Sequence, residues 1–364
     1  MKLMLSGILV LALSAQEPKK AAAPAGKPPH SSPDFRKCKR CLPAYEGAVA
    51  YVKKNLGQST FPVKMVAGWL FLADGRHPQE LESCVKTALS WASARGNSQH
   101  AQNWYPALAG MFLAEYFKYA PTPEVARGLQ EIVDEFVKVQ ERTGGWWKWF
   151  EGAYKDRLDY PVKDLGILDA IILGFLHSAR THGIKVPETT IQKGLDCMDK
   201  ILDSGGISYG TPSKYGEKTG ARGSFLMIGL DFAQQRQHKV FKIYDQLLPR
   251  LIPNLQQGHH VGAFHCLGVV LGCRMQGPQV YGQLIAKWLD HYVNEQADDG
   301  SVYIGDDGDA GGEKGLLRGN TASTAAFALM ILLQDPKVLQ PPPRRGQKQG
   351  AKPAPATPSE PKKP

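Results

Sequence analysis

Two kinds of helical segment alternate along the body of the chain, and this alternation limits the fold more than any other feature. One kind is amphipathic, with a single apolar stripe at spacings of three and four residues. One such stripe consists of Val125, Leu129, Ile132, Val133 and Phe136. The other kind, as over 163–180, is apolar nearly all round and contains glycines, each costing about 1 kcal/mol relative to alanine in a helix. Such helices are expected to be packed closely on several sides, inside a layer of amphipathic helices.

Pairing each amphipathic segment with the apolar segment that follows it gives six helical hairpins. The amphipathic segments begin near Ala44, Gln79, Pro123, Pro187, Lys239 and Pro278. The apolar segments begin near Phe61, Asn103, Lys163, Gly220, His260 and Asn320. Because the apolar helices need neighbours on more than one side, we predict an all-α fold over residues 44–340, an (α/α)6 toroid in which the hairpins close into a double ring. An open superhelix of hairpins is the alternative.

The two ends of the chain differ from this body. Residues 1–16 have the layout of a secretory signal peptide, with Lys2 ahead of a short apolar run and small residues before the cut. An uncleaved anchor is the alternative. Residues 17–43, which contain a C-x-x-C pair, and residues 341–364 are rich in Pro and Lys and are expected to be disordered. We therefore predict a secreted or periplasmic protein whose basic tails stay solvated or touch an anionic cell surface.

The positive charge lies in the tails. Of the formal net charge of +10, residues 1–43 carry +6 and residues 341–364 carry +5, which leaves about −1 for 44–340. A nucleic-acid-binding protein needs its positive charge on the folded surface, so nucleic acid is not predicted as a partner. No segment after the first sixteen residues is apolar for long enough to cross a bilayer, so no transmembrane segment is predicted in the mature chain.

The six cysteines fall into two groups. For the Cys38 and Cys41 pair, both a local disulfide and two thiols remain open. The other four are expected to be buried as small apolar side chains, namely Cys84, Cys197, Cys266 and Cys273.

The turns between amphipathic and apolar helices carry a recurring pattern. Residues 140–146 read Q-x3-G-x-W, and residues 296–302 read Q-x3-G-x-V. A glutamine there can bond backbone groups of the neighbouring hairpin, glycine permits the turn, and the aromatic ring packs beneath it. These turns resemble the repeat of squalene and hopene cyclases and of protein prenyltransferase β-subunits, which implies an α/α toroid. The order GGW, DYP, GGISYG and GHH is similar to an uncharacterised family of secreted bacterial toroid proteins, and implies no known activity.

The chemistry of those enzymes is not carried over. The chain lacks the D-x-D-D run of the cyclases, the Asp, Cys and His zinc ligands of the prenyltransferases at matching positions, and the C-G-E-Q of thioester toroids. No cofactor and no metal are predicted.

Three clusters at the predicted rim remain as candidate sites. Around the longest turn, aromatic rings suited to stacking on sugars lie beside two carboxylates suited to acid/base catalysis, Asp159 and Asp164. The aromatic residues are Trp146, Trp147, Trp149, Tyr154 and Tyr160, with Tyr209 in the GGISYG turn.

The other two clusters contain histidines and acids. The first comprises His259, His260, His265 and Cys266, for which a zinc site and ordinary turn and core roles are both open. The second is the acidic, glycine-rich stretch 298–313, including Asp306 and Asp309, for which a calcium site and a solvated loop are both open.

The function predicted from these features is a binding module. We expect an exported toroid whose rim binds a glycan, a peptide or a lipid, since the catalytic signatures of the resembling enzymes are absent. The alternative is a polysaccharide hydrolase or lyase that uses rim carboxylates.

Overall fold

The computed structural model describes residues 34–95, 103–146, 165–203, 205–208, 222–255, 262–304, 320–335 and 338. Its helices are α1 (Cys41–Asn55), α2 (Phe61–Asp74), α3 (Pro78–Leu89), α4 (Trp91–Arg95), α5 (Trp104–Phe117), α6 (Pro123–Lys138), α7 (Gly166–Thr181), α8 (Glu188–Ile201), α9 (Ser224–Phe232), α10 (Lys239–Leu251), α11 (Gly262–Gln276), α12 (Pro278–Glu295) and α13 (Asn320–Leu332). One short antiparallel pair, β1 (Leu202–Asp203) and β2 (Gly206–Ile207), lies between α8 and α9.

The amphipathic helices form the outer layer, as predicted. Helix α6 shows why: Thr122 accepts a hydrogen bond from the Val125 N–H (3.3 Å), and Pro123 occupies the first turn. All five residues of its apolar stripe are buried, while the acidic and basic residues between them face water.

The apolar helices form the inner layer and approach one another closely. Helices α2, α5, α7, α9, α11 and α13 pack side by side in chain order. The glycines explain how close this packing is, because a Cβ on Gly174 of α7 would lie 2.3 Å from the Phe225 carbonyl oxygen of α9. The prediction that interior glycines permit close packing is confirmed.

The inner layer is a closed ring. Helix α13 packs against both α1 and α2, so the last and first hairpins meet, and the open-superhelix alternative is wrong. Gln296, after α12, donates to the Ala44 carbonyl oxygen of α1 (2.9 Å), and Arg40 pairs with Asp290 of α12 (3.1 Å). The predicted α/α toroid is therefore confirmed.

The fold begins earlier than the sequence indicated. The sequence predicts a disordered linker over residues 17–43, and this prediction is wrong for 34–43, which contain a short helix over Phe35–Lys37 and the start of α1. Phe35 is buried against Tyr45, and Arg36 pairs with Asp335 near the other end of the domain (2.8 Å). The burial of one aromatic ring and the ion pairs to distant residues hold this segment on the ring. Among the described residues, no helix is long and apolar enough to cross a membrane.

Candidate functional site

The chain order determines which end of the ring gathers the first turns of the inner helices. Each inner helix follows an outer helix through a turn, so the inner helices all begin at the same end. We call this end, formed by the first turns of the inner helices and the turns before them, the mouth. The candidate site that we predict from the sequence lies in the turns at this mouth.

We call the two Q-x3-G turns, at residues 140–146 and 296–302, the glutamine turns. The first of them, before α7, adopts the predicted structure. Gln140 donates through Nε2 to the Gly144 carbonyl oxygen (2.7 Å) and to that of Thr190 in α8 (2.9 Å). Gly144 has a φ of 96°, and its Cβ would lie 2.1 Å from the Lys193 carbonyl oxygen. The turn therefore locks one hairpin onto the outer helix of the next.

The glutamine turn after α12 makes the same contacts across the closing seam. Gln296 donates to the Gly300 carbonyl oxygen (2.9 Å) as well as to that of Ala44, and Gly300, with a φ of 86°, lies against Gly47 of α1. Thr324 of α13 then accepts a hydrogen bond from the backbone N–H after this turn. The repeat seen in sequence is thus a repeat of structure, and one copy closes the ring.

Trp146 is the predicted binding residue that lies within the described part of the chain. Its ring has no exposed surface, and its indole Nε1 donates to the Phe136 carbonyl oxygen (2.9 Å). Its backbone N–H donates to Oδ1 of the buried Asp169 (2.6 Å). Trp146 therefore packs beneath the glutamine turn, and in this structure it offers no surface to a ligand.

The other predicted site residues fall in the gaps of the structure. These residues, which lie outside the described ranges and stay predictions, are Trp147, Trp149, Tyr154, Asp159, Tyr160, Asp164, Tyr209, His259, His260, Asp306 and Asp309. Within the described ranges, no group of three or more His, Cys, Asp or Glu side chains could hold a metal ion.

The structure brings together two mouth residues that the sequence did not pair. Arg222 lies just before α9 and His265 lies in the first turns of α11, the next inner helix of the ring. Both are buried, at 3% and 7% exposure. Arg222 Nη1 donates to the carbonyl oxygen of Ile207 in β2 (3.3 Å). The short strand pair thus holds the guanidinium at the mouth.

The imidazole of His265 is neutral at pH 7. Burial, together with the nearby Arg222 guanidinium, lowers the pKa of His265 to about 4. Its Nε2 is buried and makes no hydrogen bond. A buried, unpaired polar atom costs about 1–3 kcal/mol, and both ring nitrogens of His177 at the other end of the ring are in the same situation.

The neighbouring side chains at the mouth are polar or aromatic. Ser224, at the start of α9, is fully buried with an Oγ that has no hydrogen-bond partner, and it lies against Gly272 of α11. On the side of α2 and α5, the rings of Phe61 and Tyr105 lie 4.8 Å apart. Arg222, His265 and Ser224 are thus buried in this structure, like Trp146, with the aromatic pair of Phe61 and Tyr105 on the other side of the ring.

The remaining member of the histidine cluster, Cys266, is one of the four cysteines that are predicted to be buried in the core. Cys266, next to His265, is fully buried, and burial raises the pKa of its thiol to about 12. Cys84, Cys197 and Cys273 are buried too, so the prediction for the four later cysteines is confirmed. The Cys266 side chain is enclosed among the residues of the hydrophobic core.

Solved structures with this architecture act on different substrates. A type II terpene cyclase from Scytonema, solved with geranylgeranyl dihydroxybenzoate, is 12% identical with a TM-score of 0.52 over 82% of this chain and 99% of its own. A glycosyl hydrolase of family 88 from Bacteroides vulgatus is 11% identical with a TM-score of 0.50 over 80% and 98%. A polysaccharide lyase is 12% identical with a TM-score of 0.49 over 79% and 96%.

At such identities the similarities to the terpene cyclase and the glycosyl hydrolase show the fold alone. No match by sequence is found among curated proteins. The profile of one family, described as Domain of unknown function (DUF6288), matches residues 45–333, which is nearly the whole ring. The chain belongs to this DUF6288 family, whose domain is an α/α toroid here.

Proposed function

We propose that this protein is an exported binding protein that takes an acidic glycan at the mouth of its toroid. The observation that carries the proposal is the pair formed by Arg222 and His265. A guanidinium has five N–H donors in a planar fork, and that fork matches the carboxylate of a uronate sugar.

The other mouth groups fit a sugar ring. The neutral imidazole of His265 is a hydrogen-bonding partner for a sugar hydroxyl. The predicted rim aromatics, Trp147 and Trp149 among them, would stack on ring faces. Similarity to a glycosyl hydrolase is compatible with a glycan ligand but does not specify one.

The test compares an acidic with a neutral oligosaccharide. The full chain is titrated with oligogalacturonate and with the fully methyl-esterified form, and binding is followed by calorimetry. We expect binding of the acidic form alone, with an affinity at least about tenfold lower for Arg222→Gln, which is the loss of roughly one charge-assisted hydrogen bond.

A matched control comes from the other end of the ring. His177 of α7 is also buried, with a pKa lowered to about 4 by burial and by the charges of Arg180 and His238, but it lies in the last turns of an inner helix. We expect His265→Gln to weaken binding and His177→Gln to leave it unchanged. Equal binding by the wild type and both mouth variants would refute the proposal.

A polysaccharide hydrolase or lyase is the second candidate. The specific observation in its favour is the neutral imidazole of His265 near the guanidinium of Arg222. A guanidinium that neutralises the carboxylate of a uronate makes the proton on the carbon next to that carboxylate more acidic, and a neutral imidazole is a base that can remove it. New reducing ends indicate hydrolysis, and the ultraviolet absorbance of an unsaturated uronate indicates elimination. Asp159→Asn and Asp164→Asn test the carboxylates named from the sequence. If the chain binds the oligosaccharide and neither product forms, the result supports a binding protein over an enzyme.

A further inference from the structure

The Cys38 and Cys41 pair lies at the ring seam, and the proposed function has no use for it. The first turns of α1 contact the turn after α12, since Gln296 donates to the Ala44 carbonyl oxygen and Gly300 lies against Gly47. Both sulfurs are thiols in the structure. Cys38 is partly exposed and Cys41 is buried.

The two cysteines have different environments because of the helix that begins between them. The Leu42 N–H donates to the Cys38 carbonyl oxygen (3.2 Å), so the helical turn starts at Cys38. The Cys41 backbone N–H donates to Cys38 Sγ (3.1 Å), as it would to the oxygen of a serine cap. A sulfur at a helix N-terminus with an N–H directed at it is favoured in its thiolate form.

Cys41 differs from Cys38 in being a buried, protonated thiol. Burial, a hydrogen bond to Cys38 and the nearby Asp290 raise the pKa of the Cys41 thiol to about 12. Cys38 Sγ lies 3.1 Å from the Cys41 backbone nitrogen, so it sits over the turn that carries Cys41. Arg40, between the two cysteines, pairs with Asp290 and donates to Asn294 of α12 (2.6 Å), which holds the pair at the ring seam.

We propose that Cys38 and Cys41 form a thiol–disulfide exchange site in which Cys38 is the attacking thiol. The thiolate of Cys38 attacks a disulfide, forms a mixed disulfide and releases one thiolate. Cys41 then attacks Cys38 Sγ, and its proton goes to the second leaving thiolate. One disulfide and two protein thiols become one protein disulfide and two thiols, with no other reactant.

The test uses the full reduced chain with oxidised glutathione at neutral pH. Trypsin cuts after Lys39 and Arg40, so a disulfide between the two cysteines joins two peptides that are otherwise separate, and mass spectrometry detects this directly. We expect that linked peptide from the wild type. We expect a glutathione adduct trapped on Cys38 in Cys41→Ser, and no adduct on Cys41 in Cys38→Ser. An adduct on Cys41 first, or no linked peptide, would overturn the proposal.

A second measurement does not depend on the variants folding. The alkylation rate of Cys38 in the folded wild type is compared with its rate in urea, with the buried Cys84 as an internal control. We expect Cys38 to react at least about tenfold faster in the folded chain and Cys84 to be protected. A folded-state rate for Cys38 equal to or below the rate in urea would contradict the assignment.

Discussion

Replacing Gly174 with alanine tests the close packing on which the whole ring depends. A Cβ at this position would lie 2.3 Å from the Phe225 carbonyl oxygen and 3.0 Å from its carbon. Neither atom belongs to a side chain, so the collision can be relieved only by moving α7 away from α9. Such overpacking costs typically about 1–3 kcal/mol, and a backbone collision belongs at the upper end of that range.

Helix propensity opposes this cost, so the net effect needs a control. Alanine is better than glycine in a helix by about 1 kcal/mol, which leaves a net destabilisation of about 2 kcal/mol for Gly174→Ala. Gly282 on the outer helix α12 is exposed, and a Cβ there would meet nothing within 4 Å. Gly282→Ala therefore keeps the propensity gain alone and should stabilise the protein by about 0.5–1 kcal/mol.

The assay is denaturant unfolding at fixed pH, which gives the free energy of unfolding from the midpoint and slope. The two substitutions are chemically identical, so their opposite signs would come from the position alone. If Gly174→Ala were as stable as the wild type while Gly282→Ala gained stability, the inner helices would not be in backbone contact, and the packing argument would fail.

Two further predictions concern the seam and the buried histidines. Gln296→Ala and Gln140→Ala each leave two carbonyl oxygens without their donor, and each should lower the free energy of unfolding by about 2 kcal/mol in the same assay. If Gln140→Ala lowered the free energy of unfolding and Gln296→Ala did not, the ring would be open in solution. Stability should also fall as the pH drops below 6.5, because the pKa of the buried His177 is lowered from 6.5 to about 4 and the unfolded chain therefore binds the proton first. His177→Leu should remove about 2 kcal/mol of the loss between about pH 7 and pH 5, and an unchanged pH dependence would contradict its neutral burial.

The helices could be predicted because their signals are local. Pro123 and Pro278 occupy the first turns of α6 and α12, and the apolar stripe of α6 has the period of a half-buried helix. The glutamine turns could be predicted for a similar reason, since Gln140 and Gly144 act within five residues of chain. Each of these features needs only the residues beside it.

The mouth pair and the start of the domain depend on ring closure instead. Arg222 and His265 are distant in sequence and meet because α9 and α11 are neighbours in the inner ring. From the sequence alone, Arg36 belongs to a basic tail. Its ion pair with Asp335 shows that it belongs to the folded domain. A repeat pattern can predict a toroid, but the contacts between its hairpins follow from a closed ring that the sequence indicates only indirectly.

The proposed function gives the cations at the two ends of the ring different partners. At the end opposite the mouth, Lys118 is buried after α5 and hydrogen-bonds Glu115, and Arg180 in the last turn of α7 pairs with Glu188. Cations there complement the negative ends of the helix dipoles. Arg222 lies just before α9 and donates to the Ile207 carbonyl oxygen of β2. Under the proposed function, a carboxylate bound there would accept a charge-assisted hydrogen bond, whereas a neutral ester accepts a weaker one. The acidic and esterified oligosaccharides should therefore be distinguished at this end of the ring.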